Sequence, residues 1–327
     1  MPLWIRRAPV VIAALMLGLF ATGAAAQGAQ GYPNKTVRII VAAAPGGTSD
    51  ILARAIGQEL SKKWGQTVVV DNRPGADSNL GADLVAKSAP DGYTLILLDI
   101  STLTMGPSLY TKLGYDPAKD FAPITMIVFS PHALFVHPSV PANNVKELIA
   151  WGKANPGKLN FASSSNAIRL AQAQFTMATG VEMLHVPYKG GAASITAVAG
   201  GETNVSLNGL LATLPHIKGG KIKGIAVASR KRMEAAPDLP TIIEGGVPDF
   251  VTGSWQGLLA PAGTPPDIIK KINGAVVEVI NTPEMKAKLT GMGADVIGDS
   301  PENFAKFLRE DTMKWAKVAK EANIKPE

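Results

Sequence analysis

Short runs of β-branched and apolar residues alternate along this chain with longer segments in which apolar residues recur at every third or fourth position. The first pair is Val37–Ala44 followed by a helical pattern that extends to Leu60, and Pro45-Gly46-Gly47 separates the two. A continuous apolar run of this length is typical of a strand that helices cover on both faces. The pattern therefore predicts a strand, a tight glycine turn and an amphipathic helix.

The alternation continues to the C terminus and predicts an α/β fold. Further strands are predicted at residues 66–71, 93–98, 158–161, 183–186, 203–207 and 222–228. Helices are predicted at 80–87, 145–154, 167–179, 268–280 and 304–322, and one more helix is predicted to follow Gly191 and to end at residue 199. Residues 99–104 are predicted to form a polar loop. Two apolar segments, 121–137 and 254–260, are long enough to cross between domains. We therefore predict two interleaved lobes joined by two hinge crossings, with lobe 1 formed by 27–127 plus 251–327 and lobe 2 by 128–250.

The turn after the first strand is a candidate anion site. Thr48, Ser49 and Asp50 are all residue types that cap helix N-termini. A helix that starts at the carboxyl end of a parallel strand presents free N–H groups to a ligand. No lysine or arginine occurs before Arg54, so backbone and hydroxyl donors of Gly46 to Asp50 would hold the anion. The alternative is a well-capped turn without a ligand. Neither a P-loop nor a G-x-G-x-x-G fingerprint is present.

Composition excludes several other classes of protein. The chain has 327 residues and no cysteine, which excludes disulfides and thiolate metal sites. Its four histidines form no metal-binding motif, so we expect neither a metal nor a cofactor. Only 6% of residues are aromatic and the basic residues are spread along the chain, which argues against nucleic-acid binding.

Residues 1–26 have the pattern of a secretory signal. Arg6 and Arg7 precede the apolar run Val10–Phe20, and Ala24-Ala25-Ala26 supplies a small-residue cleavage signature. This apolar run is too short to span about 30 Å of hydrocarbon. We predict a mature N-terminus at Gln27 and a periplasmic location. Cleavage takes Lys and Arg from 32 to 30 against 26 Asp and Glu, so the mature net charge is about +4.

From Tyr32 onward the chain resembles the Bug family, the extracytoplasmic solute receptors of tripartite tricarboxylate transporters. The motifs that carry the resemblance occur in the family's order and cover most of the chain. They are Tyr32-Pro33-Asn34-Lys35, the Ala44–Asp50 loop, Asn72–Ala76, Pro90–Thr94, His185–Gly190, Leu214–Ile217 and Ala260–Pro265. The resemblance implies a type II periplasmic binding protein fold with mostly parallel sheets, which closes on a small mono- or dicarboxylate.

The resemblance also assigns candidate ligand-binding residues. It implies that Gly46, Gly47, Thr48, Ser49 and Asp50 hold one ligand carboxylate and that Thr102 contributes from the loop after the third strand. On lobe 2 it implies closure by two loops, formed by Ser163, Ser164, Ser165 and Asn166 and by Tyr188 and Lys189. The expected partners are the membrane components of a tripartite tricarboxylate transporter, and we expect a monomer.

The chain departs from the family pattern at positions that face the predicted cleft. Ser163–Asn166 replaces a glycine-rich loop, Asp77-Ser78 replaces a glycine pair, and Arg169 stands where histidine is common. Arg169 is a candidate for holding a second carboxylate, and the alternative is a surface arginine. Asn208 stands where aspartate is common, which removes an acceptor for a ligand ammonium and argues against an amino acid.

Two other functions remain open on the sequence. The same binding fold could signal to a membrane sensor instead of delivering its ligand to a transporter. A periplasmic hydrolase is the remote alternative, because the chain contains no G-x-S-x-G elbow. We therefore expect a binding protein and not an enzyme.

Overall fold

The computed structural model describes residues 31–321 and residue 326, so the predicted signal segment 1–26 lies outside the described residues. The strands are β1 Val37–Val41, β2 Val68–Asn72, β3 Thr94–Asp99, β4 Phe121–Val136, β5 Asn160–Ser163, β6 Leu184–Pro187, β7 Val205–Gly209, β8 Lys223–Val227, β9 Gly253–Pro261 and β10 Asp295–Val296. The helices are α1 Thr48–Trp64, α2 Asn79–Ala86, α3 Ser101–Leu109, α4 Val145–Ala154, α5 Asn166–Thr179, α6 Gly191–Ala199, α7 Leu210–Lys218, α8 Pro266–Asn281, α9 Pro283–Gly291 and α10 Pro301–Glu321.

The strands form two mixed sheets that share β4, which confirms the α/β prediction. In the first sheet, β1 lies between β2 and β3 and pairs parallel with both. In the second sheet, β5 lies between β6 and β7, again in parallel. The predicted parallel character therefore holds for the β-α units. The crossing strands β4 and β9 pair antiparallel with their neighbours, and this makes each sheet mixed.

The two crossings lie side by side. The 16-residue strand β4 pairs with β9 from Phe121 to Pro131 and then with β7 and β8 from His132 to Val136. Its register against β9 shifts twice, next to Pro123 and Met126, as expected for a bulged and bent strand. The long bent strand predicted for residues 121–137 is thus one continuous element that belongs to both sheets.

Each sheet has its own apolar core. One core packs β1, β3 and β9 against α1 and α8, with Ile39, Ile56 and Ile272 fully buried. Another packs β5 and β7 against α4 and α5, with Phe161 and Phe175 at its centre. Both cores are built from the apolar residues that recur at helical or strand spacing. The hydrophobic pattern therefore predicts which face of each helix and strand is buried. The boundary positions near residues 128 and 250 remain a prediction.

The prediction of a polar loop at residues 99–104 is wrong, because helix α3 begins at Ser101. Thr102 is therefore in the first turn of a helix rather than in a loop. Helices α7 and α9 and strand β10 were also not predicted. Pro107 lies inside α3 and Pro215 inside α7. Because proline usually breaks a helix, the sequence pattern does not predict these two short helices. None of the helices in the described part of the chain is both long and apolar enough to cross a membrane.

Candidate functional site: a cavity between the lobes

A small cavity of about 70 Å³ lies where three helices begin. Its walls come from the start of α2, the end of β3, helix α3 together with Tyr110 that follows it, and the start of α5. The lining residues are Asp77, Ser78, Asn79, Asp99, Ser101, Thr102, Met105, Gly106, Leu109, Tyr110, Ser165, Asn166 and Ala167. Each helix start carries a partial positive charge of about +0.5. The cavity therefore lies in a field that favours negative charge.

Three of the predicted site residues, Thr102, Ser165 and Asn166, line this cavity. Ser165 is the N-cap of α5, and its Oγ accepts a hydrogen bond from the N–H of Ile168 at 3.3 Å. The buried Ser163 donates from its Oγ to the carbonyl of Ser165 at 3.0 Å, and Ser164 is half-buried between them. The hydroxyl-rich segment therefore shapes and caps the start of α5, and it brings Ser165 and Asn166 to the cavity.

The Gly46–Asp50 segment forms the start of α1 as predicted, but the N-cap is Gly47 and no side chain caps the helix. Asp50 instead accepts a hydrogen bond from the N–H of Gly46 at 2.9 Å and forms an ion pair with Arg54 at 2.9 Å. Burial would raise the pKa of Asp50, but the hydrogen bonds from Arg54, Gly46 and Asn72 outweigh burial and lower it. Asp50 is therefore ionised and paired with Arg54. Because it accepts the N–H of Gly46, that donor is not available to a ligand.

The next donors of this segment remain available. Among the described residues, none accepts a hydrogen bond from the N–H of Gly47, Thr48 or Ser49. Gly46 has a positive φ of +83°, which glycine adopts without strain and which allows the tight turn before α1. Free N–H groups at a helix start are the donors that anions bind in proteins, so this segment remains a candidate anion site.

A buried hydrogen-bond chain links this helix start to the cavity. Ser49 donates to the side-chain oxygen of Gln256 at 2.7 Å, and Gln256 donates to Ser254 at 2.5 Å. The Ser254 side chain in turn bonds Asp99, which lines the cavity. Burial raises the pKa of Asp99, although hydrogen bonds from Ser254 and from the Ser101 N–H oppose it. Gln256 and Ser254 of the crossing strand β9 thus connect the start of α1 with the cavity.

The lobes also meet through three polar groups at the cavity. Asp77 Oδ2, before α2, accepts a hydrogen bond from the backbone N–H of Asn166 at 3.1 Å and one from the Tyr110 hydroxyl at 3.3 Å. The Asn166 amide donates to the Tyr110 oxygen at 2.7 Å. Residue Asp77 as a whole is exposed, but its carboxyl end lies between the lobes. Burial there raises the pKa of Asp77, against the opposing hydrogen bonds from Asn166 and Tyr110.

Sequence reasoning did not identify Asp77, Asp99 or Tyr110 as site residues. The replacement of a glycine pair by Asp77-Ser78 was the available signal for the first of them. The other two flank helix α3, which was predicted as a loop: Asp99 ends β3 two residues before Ser101, and Tyr110 immediately follows the helix.

The remaining predicted residues lie outside the cavity lining. Arg169 is exposed on the first turn of α5, near His185, whose pKa is lowered by burial and by the Arg169 charge. Tyr188 packs against Phe135 and its neighbours and bonds Glu202 at 3.3 Å, and Lys189 is exposed. The buried Asn208 amide donates to Ser194 at 3.0 Å in α6. These contacts belong to lobe 2 itself.

An apolar seam borders the cavity on the side of α10. Met105 and Leu109 of α3 and Trp315 of α10 pack on Leu170 of α5, which is 1% exposed. We call this set of four residues the interlobe seam. The seam buries apolar area where the lobes meet, because α3 and α10 lie on one lobe and α5 on the other.

Leu170→Ala should therefore weaken ligand binding without removing any donor at the cavity. Losing most of a buried leucine side chain costs roughly 2 kcal/mol, which corresponds to about a thirtyfold loss of affinity if closure requires the seam. Isothermal titration of the variant against wild type measures the effect. The control is Met177→Ala on the same helix, where the side chain is 67% exposed. Equal affinities for the two variants would contradict a role of the seam in closure.

Comparison with known proteins agrees with this architecture. The family described as tripartite tricarboxylate transporter family receptor matches residues 52–324. The chain belongs to this receptor family. Protein BugT of Bordetella pertussis is 33% identical over 305 residues, which cover 92% of this chain and 94% of BugT.

Solved structures of similar proteins extend the comparison to ligands. This TctC-family chain is similar to a Rhodopseudomonas palustris protein solved with adipate, at 36% identity and a TM-score of 0.88, with 90% of this chain and 100% of the other covered. MatC from the same species, solved with malate, is 31% identical with a TM-score of 0.82 and 88% and 100% coverage. A further similar structure is that of the periplasmic binding protein BugD, at 32% identity and a TM-score of 0.85, with 90% of this chain and 100% of the other covered. Together with the family match, this confirms the predicted family and the two-lobed fold class.

Proposed function

We propose that this chain is a periplasmic receptor that captures a small carboxylate between its lobes and delivers it to the membrane components of a tripartite tricarboxylate transporter. The observation that carries the proposal is the convergence of helix starts on the cleft, with the N–H groups of Gly47, Thr48 and Ser49 open for an anion. The adipate and malate found in similar proteins support the ligand class. The mature receptor starts at Gln27 and acts as a monomer.

Capture proceeds by closure of the two lobes about β4 and β9. A ligand carboxylate binds first at the start of α1, where backbone donors supply charge-assisted hydrogen bonds. Closure then brings Ser165 and Asn166 of α5 over the ligand, next to Thr102. In this scheme the seam and the Asp77–Asn166 contact stabilise the closed state, and the ligand shifts the population toward it.

Gly47→Pro tests the backbone donor directly. Gly47 has φ −82°, within about 20° of the −65° of proline, so the substitution removes the N–H with a small change of backbone. A hydrogen bond to a charged group contributes about 1.5–3 kcal/mol, so the affinity for a bound carboxylate should fall at least tenfold. The measurement is titration calorimetry with the best ligand from a thermal-shift screen of mono-, di- and tricarboxylates.

The matched control is Gly47→Ala, which keeps the N–H. Its added Cβ would meet only the Ala44 carbonyl oxygen, at an ordinary 3.6 Å. Full affinity in the alanine variant with loss in the proline variant supports the helix-start donor. Equal affinities would remove α1 from the binding site, and no stabilisation by any carboxylate would reject the proposed function.

Delivery and sensing are separated by a different experiment. Deletion of the gene should abolish uptake of the ligand found in the screen. Retained uptake together with lost ligand-induced gene expression would favour a sensory role for the same fold.

A further inference from the structure

Asp77 occupies an unusual stretch of backbone. Gly75, Ala76, Asp77 and Ser78 all have positive φ, at 137°, 48°, 51° and 72°. Non-glycine residues in this region are disfavoured because Cβ approaches the neighbouring carbonyl oxygen. The sequence places three of them in succession, so local conformational preference does not explain Asp77. This segment of positive φ places the Asp77 side chain next to lobe 2, where its carboxylate accepts a hydrogen bond from the N–H of Asn166.

The Asp77 carboxylate occupies the start of α5. It accepts the N–H of Asn166, and the capping hydroxyl of Ser165 accepts that of Ile168. The Tyr110 hydroxyl donates to the same Asp77 oxygen. A ligand carboxylate at this helix start would have to displace Asp77 from both donors. The position therefore already holds an anion that belongs to the protein.

The charge around the cavity leads to the same conclusion. The lining contains two carboxyl groups, Asp77 and Asp99, and none of the described residues that form it is a lysine or an arginine. Asp77 accepts hydrogen bonds from the Asn166 N–H and the Tyr110 hydroxyl at one oxygen, as an ionised carboxylate does. A second ligand carboxylate would meet like charge without a compensating cation.

We infer that Asp77 determines specificity, by excluding a second carboxylate and selecting monocarboxylates whose far end carries a hydrogen-bond donor. This inference rests on the proposed function, in which the first carboxylate binds at α1. A far-end amide, hydroxyl or ammonium would donate to Asp77 or Asp99, whereas a far-end carboxylate would be repelled. The cavity of this receptor would then differ in preference from those of the similar proteins solved with adipate and malate.

The test compares ligands that differ only at the far end. The probes are straight-chain dicarboxylates of three to six carbons, their half-amides and the corresponding ω-amino acids, each titrated into the mature protein at pH 7. Wild type is compared with Asp77→Gly, which removes the carboxylate and relieves the positive φ. The control is Asp249→Gly, because Asp249 also has positive φ, 54°, is exposed, and does not line the cavity.

We expect wild type and Asp249→Gly to prefer the half-amide or the amino acid over the diacid by at least tenfold. Asp77→Gly should shift this ratio toward the diacid by at least tenfold. An equal ratio in all three proteins would overturn the inference and leave the proposed function intact, as would a uniform loss of affinity, which would make Asp77 only a closing contact. If no probe binds any of the three proteins, the proposed carboxylate function fails and the inference fails with it.

Discussion

Gly253→Ala should destabilise the protein by about 3 kcal/mol, because the added methyl group would clash with the surrounding atoms. A Cβ on Gly253 would overlap the ring of Phe129 and lie 2.8 Å from the carbonyl oxygen of Ser130. Phe129 cannot move away easily, because its ring stacks on Trp255 with the centroids 4.1 Å apart. Gly253 pairs with Pro131 where β4 and β9 pass between the sheets, so the strain falls on both crossings.

The measurement is chemical unfolding of the variant and of a matched glycine control. Gly274 is exposed inside α8, and nothing lies within 4 Å of a Cβ placed there. Gly274→Ala should stabilise by about 0.5–1 kcal/mol, because alanine favours helix and costs less backbone entropy. A loss below about 1 kcal/mol for Gly253→Ala would mean that the crossing strands separate easily and are poorly packed.

The hydrophobic pattern predicted those parts of the fold in which one physical preference dominates. The bent strand β4 follows from two apolar runs on either side of Pro131, and helix α4 follows from its helical spacing, with predicted bounds that match the observed Val145–Ala154. Helix α3 was missed because Ser101, Thr102 and Thr104 resemble a polar loop and Gly106-Pro107 resembles a break. It forms because Leu103 and Met105 are buried against other elements, a tertiary effect that propensity does not contain.

The candidate site was predictable to a similar degree. A glycine turn that leads into a helix start locates the α1 donors, because that prediction depends only on local geometry. The contact of Asp77 with Asn166 joins residues 89 positions apart, and it depends on how the lobes close. Hydrophobic periodicity carries no information about such pairs. The same limitation applies to Arg169, since first-turn position alone does not determine which way a side chain points.

The two lobes are joined at the crossings, the seam, the Asp77 contact and Leu211 of α7, which packs into the core of the first sheet. Stability and closure are therefore coupled at these contacts. Ser130 illustrates this point: its Oγ accepts the N–H of Leu211 at 3.0 Å and lies beside Gly209, whose own neighbour is Thr48 of α1. A change at the crossing therefore reaches the start of α1, where we propose that the ligand carboxylate binds, through direct contacts. Substitutions there should affect ligand affinity and unfolding together.

His132, on β4 just past the crossing, should make the stability of the protein depend on pH. It is 6% exposed, its Nδ1 lies 3.0 Å from the Thr252 hydroxyl, and burial lowers its pKa to about 4. In the unfolded chain its pKa is about 6.5. Between these values the unfolded state binds more protons than the folded state, so stability rises with pH across this window. Lowering the pH from 6.5 to 4 should cost about 3 kcal/mol through this group.

His132→Asn tests the assignment, because an asparagine can bond Thr252 without titrating. The variant should be less stable at pH 7 but should lose less free energy of unfolding than wild type as the pH falls from 6.5 to 4, measured by urea unfolding at each pH. The control is His137→Asn, because His137 lies just beyond the same strand and is half-exposed. It measures the effect of replacing a histidine that is not part of the buried His132–Thr252 pair. An unchanged pH slope in His132→Asn would show that other groups carry the acid sensitivity. A flattened slope would place acid lability at the hinge itself, since His132 bonds both Thr252 and Ala228 through its backbone.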